Sequence, residues 1–352
     1  MSKLTLMRNV ISKKRPIHVT FFVTGHCNAK CRMCFYWKAA GKDELTLEEI
    51  RKIAGNYRHK LLWLALTGGE PFMRDDLLDI AEAFYKSSEP SYITIPTNGL
   101  LTERIVKMAS DIADRCPKSS IRIKLSLDGI GGVHDDIRGV PGAYERLLKT
   151  YDELMKLTKK NLSIGLTITF SSFNKDTIKD TLDYVLNSGR FQNPIPPSVN
   201  YVRGNTREEG AKQIGAEEFE RTIKSLSEAI AEKYKNRSLA TKLLIADEYF
   251  GKELTAGIIS RNRMPIPCYA GLSSIVITEE GAVYPCEILT TKMGSLRESN
   301  YSIDNIMKNN GVRKFIKDGK CACTHECNMF TNTLLNARLY PRILKKYRQM
   351  FR

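Results

Sequence analysis

Two features of the 352-residue sequence predict an α/β fold built on parallel strands. From Pro16 to about Gly204, six apolar, strand-like runs (18–23, 62–66, 92–96, 121–127, 163–170 and 199–202) alternate with amphipathic stretches (46–58, 75–86, 102–114, 143–159 and 176–187). That alternation is the mark of repeated βα units. The second feature is that the unusual residues, cysteines and Gly-, Asn- and Asp-rich turns, follow the strands, where α/β folds place functional loops. Alternation alone does not separate a doubly wound sheet from a partial barrel. Thr46-Leu47-Glu48-Glu49 has the form of a capping box opening the first helix.

Composition sets the outer limits. Hydrophobic residues make up 42% and charged residues 27% of the chain, ordinary for a globular protein with an ample core. The net charge is +16, but eleven of those charges fall within residues 1–17 and 336–352, neither of which holds an acid. A uniformly basic surface would point to nucleic acid; a mildly basic body with basic ends makes nucleic acid an unfavoured partner. No signal peptide is read at the N-terminus, and no run nears the roughly 20 apolar residues that span a bilayer. A cytoplasmic setting is expected, where clustered cysteines point to metal more than to disulfides.

After the first strand comes Cys27-Asn28-Ala29-Lys30-Cys31-Arg32-Met33-Cys34, three thiols spaced C-x-x-x-C-x-x-C. A structural zinc site or a closed cubane takes four protein ligands, so three leave one metal corner open. A zinc knuckle with a distant fourth ligand is the plainer alternative. The later strands end in Thr67-Gly68-Gly69-Glu70-Pro71, Thr97-Asn98-Gly99 and Ser126-Leu127-Asp128-Gly129, with His134-Asp135-Asp136-Ile137-Arg138-Gly139 beyond. Singly these are turn signals. The paired glycines would allow backbone to approach a ligand closely, and Glu70 offers an acceptor. Together they mark one rim of one sheet. His26 is expected simply to buttress the cysteine loop.

The order C-x-x-x-C-x-x-C, G-G-E-P, T-N-G, S-L-D-G, H-D-x-x-R-G resembles the core of the radical S-adenosylmethionine (SAM) enzymes over about 190 residues. The resemblance implies a partial (β/α)6 barrel. It implies that Cys27, Cys31 and Cys34 hold a [4Fe–4S] cluster whose fourth iron takes the amine and carboxylate of SAM. Met33 would lie near the adenine. Glu70 with the backbone of Gly68 and Gly69 would receive the methionyl ammonium, and Ser126, Arg138 and, less directly, Asn98 the carboxylate and ribose. The implied chemistry is one-electron cleavage of SAM to methionine and a 5′-deoxyadenosyl radical, which takes hydrogen from an unactivated carbon. A low-potential electron donor such as ferredoxin or flavodoxin is implied with it.

A second cysteine group lies far downstream. Cys268 precedes a strand-like run 274–278, a turn at Glu279-Glu280-Gly281 and a run ending at Cys286, which together read as a β-hairpin. A helical stretch 302–317 leads to Cys321-Ala322-Cys323-Thr324-His325-Glu326-Cys327. Hairpin, helix and cysteine group resemble the SPASM and Twitch extensions of radical SAM enzymes. The group is shorter than a full SPASM module, and five thiols cannot fully ligate two cubanes. The resemblance therefore implies one auxiliary [4Fe–4S] cluster on Cys268, Cys286, Cys323 and Cys327, with Cys321 able to replace Cys323. A zinc site using His325 is the alternative. Cys116 stands apart and is expected to fill core space.

The domain organisation expected is a basic segment 1–15, the core 16–204, a helical bridge 205–265, the small α+β cluster domain 266–330 and a basic amphipathic tail 331–352. Such basic ends can lie peripherally on anionic membrane, or simply cap the barrel. The leading expectation is a radical SAM enzyme acting on an unidentified peptide, small molecule or lipid-linked precursor. A non-catalytic metal-binding sensor and an RNA-modifying radical SAM enzyme are the rivals.

Overall fold

The computed structural model describes residues 15–39, 43–57, 59–192, 195–308, 311, 316, 321, 322 and 324–352. The basic segment 1–14 and Cys323 lie outside these residues. Six strands, β1 (His18–Thr24), β2 (Trp63–Gly68), β3 (Tyr92–Thr97), β4 (Ser120–Ser126), β5 (Leu162–Phe170) and β6 (Ser198–Tyr201), pair parallel in chain order. Between them run α1 (Leu47–Asn56), α2 (Leu77–Ser88), α3 (Thr102–Arg115), a short α4 (Gly132–Arg138), α5 (Ala143–Met155) and α6 (Ile178–Asn187). The capping box is present: Glu49 N–H donates to Thr46 Oγ1 at 3.3 Å and Thr46 N–H to Glu49 Oε2 at 2.9 Å.

Strand alternation divides the sheet into two chemistries. Val19, Phe21, Leu64, Leu66, Ile93, Ile95, Ile121 and Ile123 face the helices and join Ile50, Phe84, Ile105 and Leu147 in one core, with Cys116 buried in it. Side chains one residue out of step point the other way. Those of Trp63, Tyr92, Arg122, Lys124, Ser198 and Asn200, from four strands, line a single cavity. Strands as far apart as β2 and β6 can share a cavity only if the sheet is curved. The fold is the incomplete (β/α)6 barrel rather than a flat doubly wound sheet.

Two long helices follow, α7 (Ala216–Tyr234) and α8 (Leu239–Arg261). The run Leu243-Leu244-Ile245 belongs to α8, with Ile245 buried and Leu244 half exposed. The buried Lys252 of α8 donates to Val199 O at 2.8 Å, docking the helix on β6.

The downstream hairpin forms as expected from β7 (Ser274–Ile277) and β8 (Ala282–Tyr284), with a short β9 (Gly294–Ser295) alongside. It does not stand apart from the barrel. β7 pairs parallel with β1, His18 opposite Ser274 through Phe21 opposite Ile277, so among the described residues one sheet runs β6-β5-β4-β3-β2-β1-β7-β8-β9. Beyond it are α9 (Ile303–Lys308), α10 (Glu326–Leu334) and α11 (Tyr340–Phe351). The tail α11 packs Ile343 among Phe250, Leu254, Ile258 and Leu339, and Lys346 donates to Glu253 Oε1 at 2.7 Å.

Candidate active site

The cysteine loop leaves β1 at the C-terminal rim and is gripped from three sides. On the β2 side, Gly69 N–H donates to Thr24 O and Glu70 N–H to His26 O, both at 2.8 Å. A Cβ on Gly69 would stand 2.1 Å from His26 O, and one on Gly68 2.2 Å from Thr24 O. The paired glycines thus let β1's exit backbone approach, a use the sequence reading had assigned to a ligand. The His26 side chain is exposed, and it is its carbonyl that braces the loop.

On the opposite side, Lys30 N–H donates to Arg138 O at 3.1 Å and Arg32 N–H to Ile137 O at 2.9 Å. Gly139 is left-handed (φ +63°) and a Cβ there would meet Lys30 O at 2.7 Å. The third grip comes after β6, where Arg207 N–H donates to Cys34 O and Glu208 N–H to Arg32 O, both at 2.9 Å. Arg32 in turn pairs with Asp136 at 2.5 Å and Glu208 at 3.0 Å.

Side chains from the other rim motifs reach the thiols. Asn98 Nδ2 lies 3.9 Å from Cys27 Sγ and donates to Asn28 Oδ1 at 2.7 Å, while Asn98 Oδ1 accepts from Leu100 N–H. Arg138 Nη1 lies 3.5 Å from Cys31 Sγ, and its Nη2 donates to Ser126 O at 3.1 Å. The Ser126 hydroxyl is half-buried with no hydrogen-bond partner among the described residues. Met33 is buried against Ile137, Ile168 and Phe170.

Glu70 is fully enclosed. Its Oε1 accepts from Phe72 N–H at 3.2 Å and Thr97 Oγ1 at 2.8 Å, its Oε2 from Asn98 N–H at 2.8 Å. A carboxylate has about four acceptor positions, so one is left for a further donor. Burial outweighs these bonds and pushes the Glu70 carboxyl up to about 7. A cationic donor at the remaining position would hold it ionised.

Sequence reasoning missed the group that aims Arg138. Asp128, wholly buried, pairs with Arg138 Nη2 at 2.5 Å and accepts from Thr169 N–H at 2.7 Å. Burial alone would lower the Arg138 guanidinium; Asp128 and the neighbouring thiols hold it charged. His134 accepts from Asp128 N–H through Nδ1 at 3.1 Å, and burial lowers its imidazole to about 3, so it stays neutral. In the sequence Asp128 and His134 stood within the S-L-D-G and H-D-x-x-R-G motifs with no role of their own.

The second group gathers beside the hairpin. Cys268 and the buried Cys286 pack with Ala270 and Leu289, whose N–H lies 3.4 Å from Cys286 Sγ. Burial pushes the Cys286 thiol up to about 12, and Cys321 and Cys268 lie close enough to add to that rise. The structure therefore brings Cys321 to Cys268 and Cys286. Cys323, preferred over it on sequence grounds, lies outside the described residues, and Cys327 is described only as part of α10. The buried Glu287 next to Cys286 pairs with Arg203 at 2.7 Å and His325 at 3.2 Å, which draw its carboxyl low against the effect of burial.

An incomplete (β/α)6 barrel with an open three-cysteine loop on its C-terminal rim is the architecture of the radical SAM superfamily. The superfamily model matches residues 21–185, and the chain belongs to that superfamily as a radical SAM enzyme. Within it, the chain is a member with an iron–sulfur cluster-binding SPASM domain, matched over residues 268–328. Its core binds a [4Fe–4S] cluster and SAM, and its extension binds auxiliary iron–sulfur.

Among its relatives is the AdoMet-dependent heme synthase of Methanosarcina barkeri, 25% identical over 87% of both chains. Another is the sporulation killing factor maturation protein SkfB of Bacillus subtilis, 23% identical over 81% of this chain and 63% of SkfB. Streptococcus suis SuiB, solved with its precursor peptide SuiA, has a similar fold, with TM-score 0.59 at 16% identity over 89% of this chain and 70% of SuiB.

The residues present fit these groups. In a cubane each thiolate binds a different iron, so its three sulfurs stand wider apart than ligands of one ion. Among the described residues no three His, Cys, Asp or Glu side chains converge on a single-ion site. Although Cys27 keeps an exposed face, desolvation of its thiol, with Cys31, Glu70 and Cys34 nearby, pushes it up to about 11, so an adjacent cation such as iron would favour the thiolate.

Proposed function

We propose that Cys27, Cys31 and Cys34 hold the cluster and that Glu70, Ser126 and Arg138 hold SAM against it, so that hydrogen is abstracted from an unactivated carbon of a substrate in the barrel. When bound, the cluster supplies the electron that splits SAM into methionine and a 5′-deoxyadenosyl radical. The chain's own residues bind and orient. Glu70 accepts the methionyl ammonium with its remaining lone pair, together with the backbone of Gly68 and Gly69. Arg138, fixed by Asp128, presents its charge between Cys31 and the methionyl carboxylate, with the Ser126 hydroxyl available to the same group. Asn98 steadies the loop at Cys27. The observation that carries this reading is the reach of Asn98, just past β3, and Arg138, at the end of α4, to Cys27 and Cys31.

One auxiliary cluster is assigned to Cys268, Cys286 and Cys321 with a further ligand from Cys323 or Cys327, serving electron transfer or substrate binding. A low-potential donor such as ferredoxin or flavodoxin delivers the electron at the exposed face of Cys27. SkfB is by name a maturation protein, and SuiB is solved with a precursor peptide, which favours a peptide or a similarly functionalised substrate. The test is anaerobic reconstitution followed by dithionite and SAM. 5′-Deoxyadenosine is the expected product, and its absence from protein with a fully loaded front cluster overturns the reading in favour of a non-catalytic sensor.

A further inference from the structure

The barrel wall carries two cations with no ion pair among the described residues. Arg122, Lys124 and Ser126 alternate onto the inner face of β4. Arg122 and Lys124 line the cavity enclosed by β2, β3, β4, β6, α8 and α10. The Arg122 guanidinium lies 4.4 Å from the centre of the Tyr92 ring, and its Nε is buried without a hydrogen-bond partner. Neither Arg122 nor Lys124 forms an ion pair among the described residues.

Of the acids across the cavity, Glu248 lies near enough to Arg122 to support its charge without pairing with it, and Asp247 keeps Oδ1 without a hydrogen bond among the described residues. Glu248 and Glu326 both pair with the buried Lys252, at 3.4 and 3.1 Å, and Glu248 also accepts from Ser198 at 2.8 Å. Asp247 accepts from Thr333 at 3.1 Å, and burial raises its carboxyl to about 6. Leu62, Trp63, Met329 and Phe330 give the wall an apolar section beside the polar Thr94 and Asn200, with Trp63 stacked on His18 at 4.5 Å and edge-on to Phe330. A half-buried guanidinium without a paired anion is costly, and its planar fork suits a carboxylate.

We propose that this cavity anchors the substrate by a carboxylate held between Arg122 and Lys124, with an apolar or aromatic portion against Trp63 and Phe330. The inference rests on the reaction proposed above and names its substrate class. Ser126 stands two residues, about 7 Å, along β4 from Lys124. Its carbonyl takes the Arg138 guanidinium that reaches Cys31. In register Trp63 is level with Ser120, on the side of Arg122 away from the rim, so the apolar portion points to the N-terminal ends of the strands. It is a part of the substrate on the other side of the carboxylate, past Lys124, that reaches the rim where SAM is cleaved. A free organic acid and an acidic peptide side chain share this recognition.

Equilibrium dialysis of the anaerobically reconstituted, full-length enzyme tests it without turnover. One arm compares benzoate with benzamide, the other N-acetyl-Gly-Glu-Gly-amide with its Gln counterpart. In at least one arm the acid should bind at least about tenfold more tightly than the amide. Arg122→Gln and Lys124→Met should each erase most of that preference, and Arg122→Lys should keep part of it. The arm that responds identifies the source of the carboxylate. Equal binding of acid and amide in both arms overturns the proposal, and so does a preference that survives both substitutions. The acid-to-amide comparison on the unaltered chain needs no variant to fold. Formation of 5′-deoxyadenosine with neither probe present reads the proposed reaction separately.

Discussion

Glu70 shows how a single buried side chain ties fold to chemistry. Three donors from the ends of β2 and β3 hold it, yet burial still raises its carboxyl from 4.5 to about 7. A carboxyl with a raised folded-state value contributes stability fully present below the unfolded value and lost as pH climbs through the folded one. Without SAM, the stability of the wild type relative to Glu70→Gln should therefore fall by about 3 kcal/mol as pH rises from 4.5 past 7, as followed by urea unfolding. A flat difference would show that Glu70 titrates as an ordinary carboxylate. Residues such as Cys27, Glu70 and Arg138 could be singled out in the sequence because they stand in motifs that resemble the radical SAM core. Asp128 and His134 were not, because their roles depend on burial and on contacts with Arg138 and with one another, which local spacing does not encode.

At the scale of elements, all six core strands and their flanking helices except the short α4 followed from periodicity, since each apolar face repeats every two or every 3.6 residues. The joining of β7 to β1 did not, because both edges read as ordinary apolar strands and parallel pairing leaves no local turn signal. The amphipathic tail is another case where pattern alone was ambiguous. No helix of the described residues is long and apolar enough to cross a membrane. Peripheral contact would instead use the face of α11 that the fold has partly covered. Ile343 is buried on α8 whereas Leu344, the next residue, is 47% exposed. Ile343→Ala should cost about 2–3 kcal/mol and Leu344→Ala no more than about 0.5 kcal/mol in thermal or chemical unfolding. Neither is expected to alter pelleting with anionic liposomes at physiological salt. Liposome binding abolished by Leu344→Ala would instead give the tail a membrane role.

At the scale of the whole molecule, two cysteine groups more than 230 residues apart in sequence are carried by one continuous sheet. With both clusters loaded, the reconstituted enzyme should hold about eight irons per chain, and Cys286→Ala about four, by iron and sulfide analysis. Loss of all iron from that variant would mean that the two groups do not load independently. The hairpin of the rear group hydrogen-bonds to β1, the strand that ends in the front loop. A second strut runs outside the sheet, where Arg203 stacks 5.0 Å from Phe35, next to Cys34, and pairs with Glu287, next to Cys286. A module hung on a flexible linker could vary its distance from the barrel during turnover; this one is bolted at strand and side chain alike. Electron tunnelling depends steeply on separation, so in the electron-transfer role proposed for the rear centre a fixed gap would give an unchanging rate of uptake. The moment at which a product radical is quenched would then be set by where the substrate lies in the barrel, with no domain swing to time it.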